Sequence, residues 1–359
     1  GTGDENGGIE MKPKLIGILL LAVVVLAAGG YSFYRENGRV TVLRGYLGGE
    51  KTGLFEDEEA ARILERKYHI QFDYSRAGSL DMVTADQEGM NYLFPSSQTA
   101  LSYYEAVHGQ PLQEEIIFNT PIVLYTHRMV LEAFEANGIV SQTDGVYYVD
   151  MQKLTELILA VTTWEVLGIP ELYGQVSVDT TDPTASNSGN MFAALLACVL
   201  NGGQTVDETS VESILPELKQ IFDGLGYMET SSSDLFQQFL RTGVGDKPVI
   251  AGYESQLLEF AVQYPEDYEQ IRDDIVMLYP TPTVWSTHVY IALDEAGREG
   301  ARALLDEEIQ QVAWEKHGFR TSAYQAAGET AVEGIAPQVN SVISVPEYPA
   351  MKKIIDALQ

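Results

Sequence analysis

Two runs of extended character constrain this chain more than anything else in it. One lies at residues 117–125, inside "EEIIFNTPIVLYT", and the other at 275–293, inside "DIVMLYPTPTVWSTHVYIAL". Each is longer than a typical strand of about 5–6 residues, so each can pass from one structural unit to another. Between them lies a block of mixed helix and strand. A chain that crosses, builds a second unit and crosses back makes one discontinuous lobe and one continuous lobe. Paired crossovers also form a hinge, and clefts between hinged lobes are where small ligands bind. The expected division is a signal or anchor segment at 1–38, lobe 1 from 39–120 and 287–359, and lobe 2 from 121–286. With 359 residues, 45% of them hydrophobic, the chain can fill two cores.

Elsewhere strand and helix patterns alternate. "RVTVLRGYLG" predicts a strand, and "EDEEAARILERKYHI" a helix with Ala61, Ile63, Leu64 and Tyr68 on one side. "QFDYSRAGS" and "MNYLFPSS" predict further strands, with short helical stretches after each. This alternation predicts an α/β fold with a parallel sheet. Downstream, "MQKLTELILAVTTWEVLG" predicts a helix, "GQVSVDTTDP" a strand, and "FAALLACVLNGG" a helix with an Asn-Gly-Gly end. "SSSDLFQQFLRTG" predicts a helix capped by Ser233 or Asp234.

The N-terminus predicts export. Met11 reads as a start, followed by Lys12, Lys14 and an apolar run from Leu15 to Tyr34, 20 residues without charge. At about 1.5 Å per residue that run can cross a bilayer, and the basic flank places the rest of the chain outside the cytoplasm. Cleavage and retention as an anchor both stay open. No Cys directly follows the run, which excludes a lipid-modified cysteine anchor. The 22 Lys+Arg against 52 Asp+Glu give a net charge of -30, which repels nucleic acid and excludes it as a partner.

Polar turns cluster where a ligand would sit. "TDPTASNSGN", residues 181–190, runs straight into an apolar helix. Helix N-termini carry unpaired N–H groups and the positive end of the dipole. One cap suffices for a helix, whereas Thr184, Ser186, Asn187 and Ser188 crowd the first turn and Gly189 offers close approach. Capping and ligand contact are both possible, and so many small donors favour contact. "LGGEKTG", "RAGS", "FPSS" and "GYESQ" take comparable places at predicted strand ends, and open α/β sheets bind ligands there.

The order of "VTVLRGYLGGEKTG", "AGSLDMV", "FPSS", "DPTASNSGNMFAALL", "GYESQLLEF" and "YPTPTVWSTHVYIAL" resembles bacterial extracellular solute-binding proteins of the type II periplasmic binding fold, nearest the molybdate, phosphate and sulfate branch. The resemblance runs from about Arg39 to the end of the chain. It implies two α/β lobes closing on a small polar or anionic solute, with an ABC transporter permease as partner and no cofactor. It implies lobe 1 contacts from Glu50, Lys51, Ser79, Ser96 and Ser97, and lobe 2 contacts from Ser186, Ser188, Tyr253, Glu254 and Gln256. Two positions depart from the pattern. Gly49 replaces a small hydroxyl residue, and "YPTPTVW" lacks an acidic-glycine turn after its Tyr-Pro. Glu254 opposes a bare anion unless it points away or pairs with Lys51 or Arg44.

Two other functions compete. An extracytoplasmic enzyme would need a catalytic pattern, and neither G-x-S-x-G, S-x-x-K nor H-E-x-x-H occurs. The five His residues are scattered, and Cys198, the only cysteine, sits in an apolar helix as a core residue. The other competitor is a membrane-anchored sensor or scaffold whose partner is a protein.

Overall fold

The computed structural model describes residues 13–322 and 330–359, so Met11 and Lys12 lie outside the described residues. The first helix is α1 (Pro13–Asn37), exposed over its apolar segment. Its segment Ile16–Arg35 is 20 residues, long enough at about 30 Å to cross a bilayer, and reaches a mean hydropathy of 2.3 in its most apolar 18-residue stretch. Only Gly38, Arg39 and Val40 separate it from the first strand.

The first part of the body holds β1 (Thr41–Leu47), α2 (Thr52–Phe55), α3 (Glu58–Tyr68), β2 (Ile70–Arg76), α4 (Asp81–Thr84), β3 (Tyr92–Phe94) and α5 (Gln98–His108). Next come the long β4 (Gln113–His127), α6 (Arg128–Ala136), a hairpin of β5 (Val140–Thr143) and β6 (Val146–Asp150), and α7 (Met151–Leu159). Then follow α8 (Asn187–Leu200), α9 (Val211–Asp223), α10 (Ser232–Thr242), β7 (Val249–Tyr253), α11 (Glu254–Gln263) and α12 (Pro265–Ile271). The chain closes with β8 (Ile275–Thr281), β9 (Trp285–Ala292), α13 (Glu295–Leu304), α14 (Glu307–His317) and α15 (Tyr348–Leu358).

One strand ties the molecule together. Residues Gln113–Pro121 of β4 pair with β9, in a half-sheet ordered β2-β1-β3-β9-β4. Residues Ile122–His127 of the same strand pair with β7 on one side and β8 on the other, and β8 leads to β6 and β5. The run over 275–293 is two strands, one in each half, broken at 282–284 by a cis Thr281-Pro282 bond. Both crossovers therefore lie side by side, between the halves. The sheet is mixed: β1 pairs in parallel with β2 and β3, and β6 with β8, while the crossover strands run antiparallel. A strand that returns through the hinge must reverse, so a wholly parallel sheet is ruled out by the crossovers themselves.

Each half has its own core. Leu43, Leu47, Phe94, Phe118 and Tyr290 fill the first, beneath α3, α13 and α14. In the second, α8 is buried on all sides from Met191 to Val199, as a helix apolar all round must be. Two local expectations fail. The helix predicted over 151–168 stops at Leu159, where Val161 takes a left-handed φ of 56° and Thr162 and Thr163 continue a β-branched run. The strand predicted in "GQVSVDTTDP" reduces to two isolated bridges, Gln175 to Thr163 and Asp179 to Ile250.

Candidate ligand cleft

Three strands deliver polar turns to one edge of the first half-sheet. After β1 the chain turns at Gly48 into a tight 3₁₀ turn, Gly49–Lys51. After β2 come Arg76, Ala77, Gly78 and Ser79, and after β3 come Pro95, Ser96 and Ser97. Across the gap, the second half presents Ser186 and Asn187 at the start of α8 and Thr230–Asp234 at the start of α10. Between the two sets lies a chamber of about 500 Å³, reaching from Gly48 and Arg76 to Asn187 and Ser233. A second chamber of about 350 Å³ shares Gly49, Glu50, Arg76, Ser232 and Ser233 with it and continues to Phe236, Phe260 and Tyr264. Together they form one cleft between the half-sheets.

Of the residues expected at the site, Glu50, Ser79, Ser186 and Asn187 line the first chamber, and Gln256 lines the second with Glu50. A buried floor lies beneath them. The Lys51 ammonium has no exposed surface and uses all three N–H groups: it donates to Glu50 Oε1 (3.0 Å), to Ser96 Oγ, and to His288 Nδ1 (3.3 Å). Its charge also lies 4.5 Å over the Phe94 ring. Ser96 Oγ in turn donates to Glu50. Burial drives the Lys51 pKa down, partly offset by Glu50. Burial raises Glu50, but the Lys51 ammonium and the Ser96 hydroxyl outweigh it and hold the carboxyl below its usual range. Burial, followed by the adjacent ammonium, pushes His288 well below its ordinary value, so the ring is neutral and accepts at Nδ1. Its Nε2 is buried without a hydrogen-bond partner among the described residues, beside Phe118 and Phe319.

Asn187 bridges the halves. Its amide donates to Ser96 O (3.2 Å), Tyr253 Oη (2.8 Å) and Ser286 Oγ (3.4 Å), and Ser286 Oγ donates to the same Ser96 carbonyl (2.7 Å). Burial, then the Glu50 carboxylate, raises the Tyr253 phenol, which stays neutral.

The remaining expected contacts serve the fold. Ser97 caps α5, accepting from Thr99 N at 3.1 Å. Ser188 is buried against Thr181 Oγ1 at 2.7 Å. Lys51, Ser96 and Tyr253 sit in the floor, closed to the cleft. Glu254 turns away from it: fully buried, it takes a bidentate pair from Arg320 (2.7 and 2.6 Å) and a hydrogen bond from Tyr279 Oη. A carboxylate in an apolar interior needs such a partner. Gln256 is half committed, accepting from Tyr253 N (2.9 Å) and donating to Ser232 O (3.1 Å). Gly189 is there for the chain's own backbone, because a Cβ would lie 2.2 Å from Thr181 O.

Sequence reasoning missed Arg76, Ser231–Ser233 and the aromatic wall. Arg76 ends β2 and opens the turn "RAGS" that the strand-end rule found, but only Ser79 was taken from that turn as a contact. The hydroxyl-rich entry "TSSSD" has the character of "TASNS", although its pattern alone reads as a cap, and the cap is Ser231. Phe236, Phe260 and Tyr264 follow ordinary helical spacing and carry no separate signal. Among the described residues, no group of three or more His, Cys, Asp or Glu is placed to hold a metal ion.

Comparison with known proteins places the fold. No family model matches the chain, and no curated protein matches it. Solved structures do match. A periplasmic thiamin binding protein superposes with a TM-score of 0.59 at 8% identity, over 89% of this chain and 96% of its own. Iron-bound HitA from Pseudomonas aeruginosa gives 0.57 at 12% identity, over 89% and 99%. The periplasmic binding protein AfuA from Actinobacillus pleuropneumoniae, with fructose-6-phosphate bound, gives 0.56 at 14%, over 89% and 96%. At such identities the likeness is one of architecture: this chain has the two-lobed type II periplasmic-binding-protein fold, preceded by an apolar helix.

Proposed function

We propose that the chain is an extracytoplasmic solute-binding protein, which captures a small polar or anionic ligand between two lobes and passes it to an ABC importer. In this reading residues 39–120 and 287–359 form lobe 1 and residues 121–286 lobe 2. The observation that carries it is the cleft: chambers of about 500 and 350 Å³ lie between half-sheets joined by adjacent crossovers, and hydroxyl and amide groups of both halves line them. The neighbours of this fold are binding proteins, and the Lys51 cluster supports a binding role over catalysis, since an ammonium with three acceptors is no base.

The test is thermal melting of the full chain in detergent against a panel of oxyanions, carboxylates, amino acids, sugars and sugar phosphates. A ligand that binds only the folded state adds about 2.7 kcal/mol at a hundred times its Kd, an upward shift easily read. No shift for any class rejects the proposal. One observation favours a membrane-tethered sensor or scaffold instead, namely the three-residue join between α1 and β1. Three extended residues span about 10 Å, which holds a body retaining α1 close to the bilayer. Recovery of a protein partner with an empty cleft selects that reading.

A further inference from the structure

We infer that the ligand carries a single anionic group, bound by Arg76 at the junction of the two chambers, on an apolar or aromatic body that lies against Phe260 and Tyr264. This rests on the cleft being a ligand site, as proposed above.

The size of the cleft argues against a bare oxyanion. A four-oxygen anion fills on the order of 100 Å³, about three to four times the ~30 Å³ share of one water. The first chamber alone is about 500 Å³. A bare oxyanion would leave most of it wet, so the ligand is a larger molecule.

Arg76 is the one arginine or lysine among the residues lining the two chambers. Arg76 lines both chambers, and among the described residues its guanidinium has no ion pair or hydrogen bond. Acidic residues outnumber basic ones 52 to 22 in this chain, so a cleft guanidinium left without a carboxylate is unusual. Arg76 is exposed at the cleft, and its guanidinium lies across the turn at Gly49, where a Cβ would come within 2.8 Å of Nη2 and displace the end of the side chain. Gly49 thus has a physical reason: the hydroxyl expected there gives way to a cation from the neighbouring strand. Ser232 and Ser233 face the same junction from the other half and offer hydroxyl donors.

The surrounding carboxylates set the limit. Asp234 is on the wall of the first chamber, and Glu259 and Asp267 are on that of the second. Glu50 is held by Lys51 and Ser96, and Glu259 by His317 at 2.6 Å. Asp234 and Asp267 make no ion pair among the described residues. A second negative group on the ligand would meet them without a further cation, so a polyanion is disfavoured. The far wall of the second chamber is aromatic instead. Phe236, Phe260 and Tyr264 pack in series, with ring centroids 6.3 and 5.6 Å apart, and Tyr264 is 55% exposed. An exposed ring in a cleft is a surface for an apolar or planar group.

The experiment is calorimetric titration of the full chain in detergent with phenyl phosphate, 3-phenylpropionate, inorganic phosphate, sulfate, benzyl alcohol and a neutral sugar. The expected result is binding of one or both aryl anions, each with a single anionic group, at least tenfold tighter than inorganic phosphate, sulfate or benzyl alcohol. The two aryl probes separate a phosphate monoester from a carboxylate. Arg76→Gln should weaken the preferred aryl anion at least tenfold, with Arg76→Lys between the two, and Tyr264→Ala with Phe260→Ala should weaken the aryl probe but not inorganic phosphate. Melting temperatures of these variants without ligand report folding. Unchanged affinity in Arg76→Gln, or tighter binding of sulfate, phosphate or the sugar, overturns this inference while leaving a binding protein in place. Binding by no member of this set or of the wider panel rejects the binding-protein reading itself.

Discussion

At the residue scale, the cluster under the cleft has measurable consequences. Lys51→Met would leave the Glu50 carboxylate buried, with the Ser96 hydroxyl but without its ammonium. Removing one member of a buried pair costs about 3–5 kcal/mol, because the other stays buried and unpaired. Replacing both, as Lys51→Met with Glu50→Gln, should recover much of that loss, and urea denaturation midpoints measure both. His288 gives a pH dependence of known sign. Its folded pKa lies well below the ordinary value, through burial and then the Lys51 charge. Near pH 7 the ring is neutral in folded and unfolded chains alike. Below about 6.5 the unfolded chain takes up a proton that the folded chain refuses, so the stability is complete above that pH and falls as pH drops toward the folded value. The slope from this one group approaches about 1.4 kcal/mol per pH unit. His288→Gln keeps an acceptor for Lys51 and has no such proton to gain, so denaturation between pH 6 and 5 should show a slope shallower by about that amount. An unchanged slope would mean that His288 titrates freely.

At the element scale, the start of α8 shows how a strong sequence signal divides into structure and site. Of the crowded donors in "TASNSGN", Ser186 and Asn187 reach the cleft, whereas Ser188 turns inward to Thr181. Gly189→Ala would drive a Cβ into the Thr181 carbonyl, 2.2 Å away, and backbone on both sides leaves little room to relax. Overpacking of this kind costs about 1–3 kcal/mol, read as a lower melting temperature with no ligand present. A variant as stable as the parent would return Gly189 to the role of making room for ligand. Much of the fold was legible in pattern: β1, α3 and β2 follow periodic apolar patterns, α8 is an unbroken apolar run, and the two extended runs marked the crossovers. The misses are elements decided by tertiary contact. "GQVSVDTTDP" has strand composition, yet only Asp179 finds a partner on β7. For Glu254, the strand-end rule located the turn but not the direction of the side chain, which is set by Arg320, 66 residues away in the chain.

At the scale of the whole molecule, the net charge of -30 acts on any anion before Arg76 does. At 0.01 M salt the screening length is about 30 Å, so an approaching monoanion meets the summed field of the acidic surface. At 0.15 M it is about 8 Å, and only groups near the cleft mouth still act. Arg76 works over the short range and the surface over the long range, so the two oppose each other during approach. The expected outcome is that the association rate of an aryl monoanion rises several-fold from 0.01 to 0.15 M salt, while that of a neutral sugar or alcohol stays flat. Dissociation should change less than association, because in the closed cleft the anion touches the guanidinium and lies partly out of reach of screening ions. Stopped-flow mixing at a series of salt concentrations separates the two rates. A rate that falls with salt would mean that the cleft mouth attracts anions in spite of the acidic surface, placing more cationic influence there than Arg76 alone supplies. Arg76→Gln then discriminates: it should remove the tight bound state and leave the salt dependence of approach intact, since approach is governed by the acidic surface and capture by one residue.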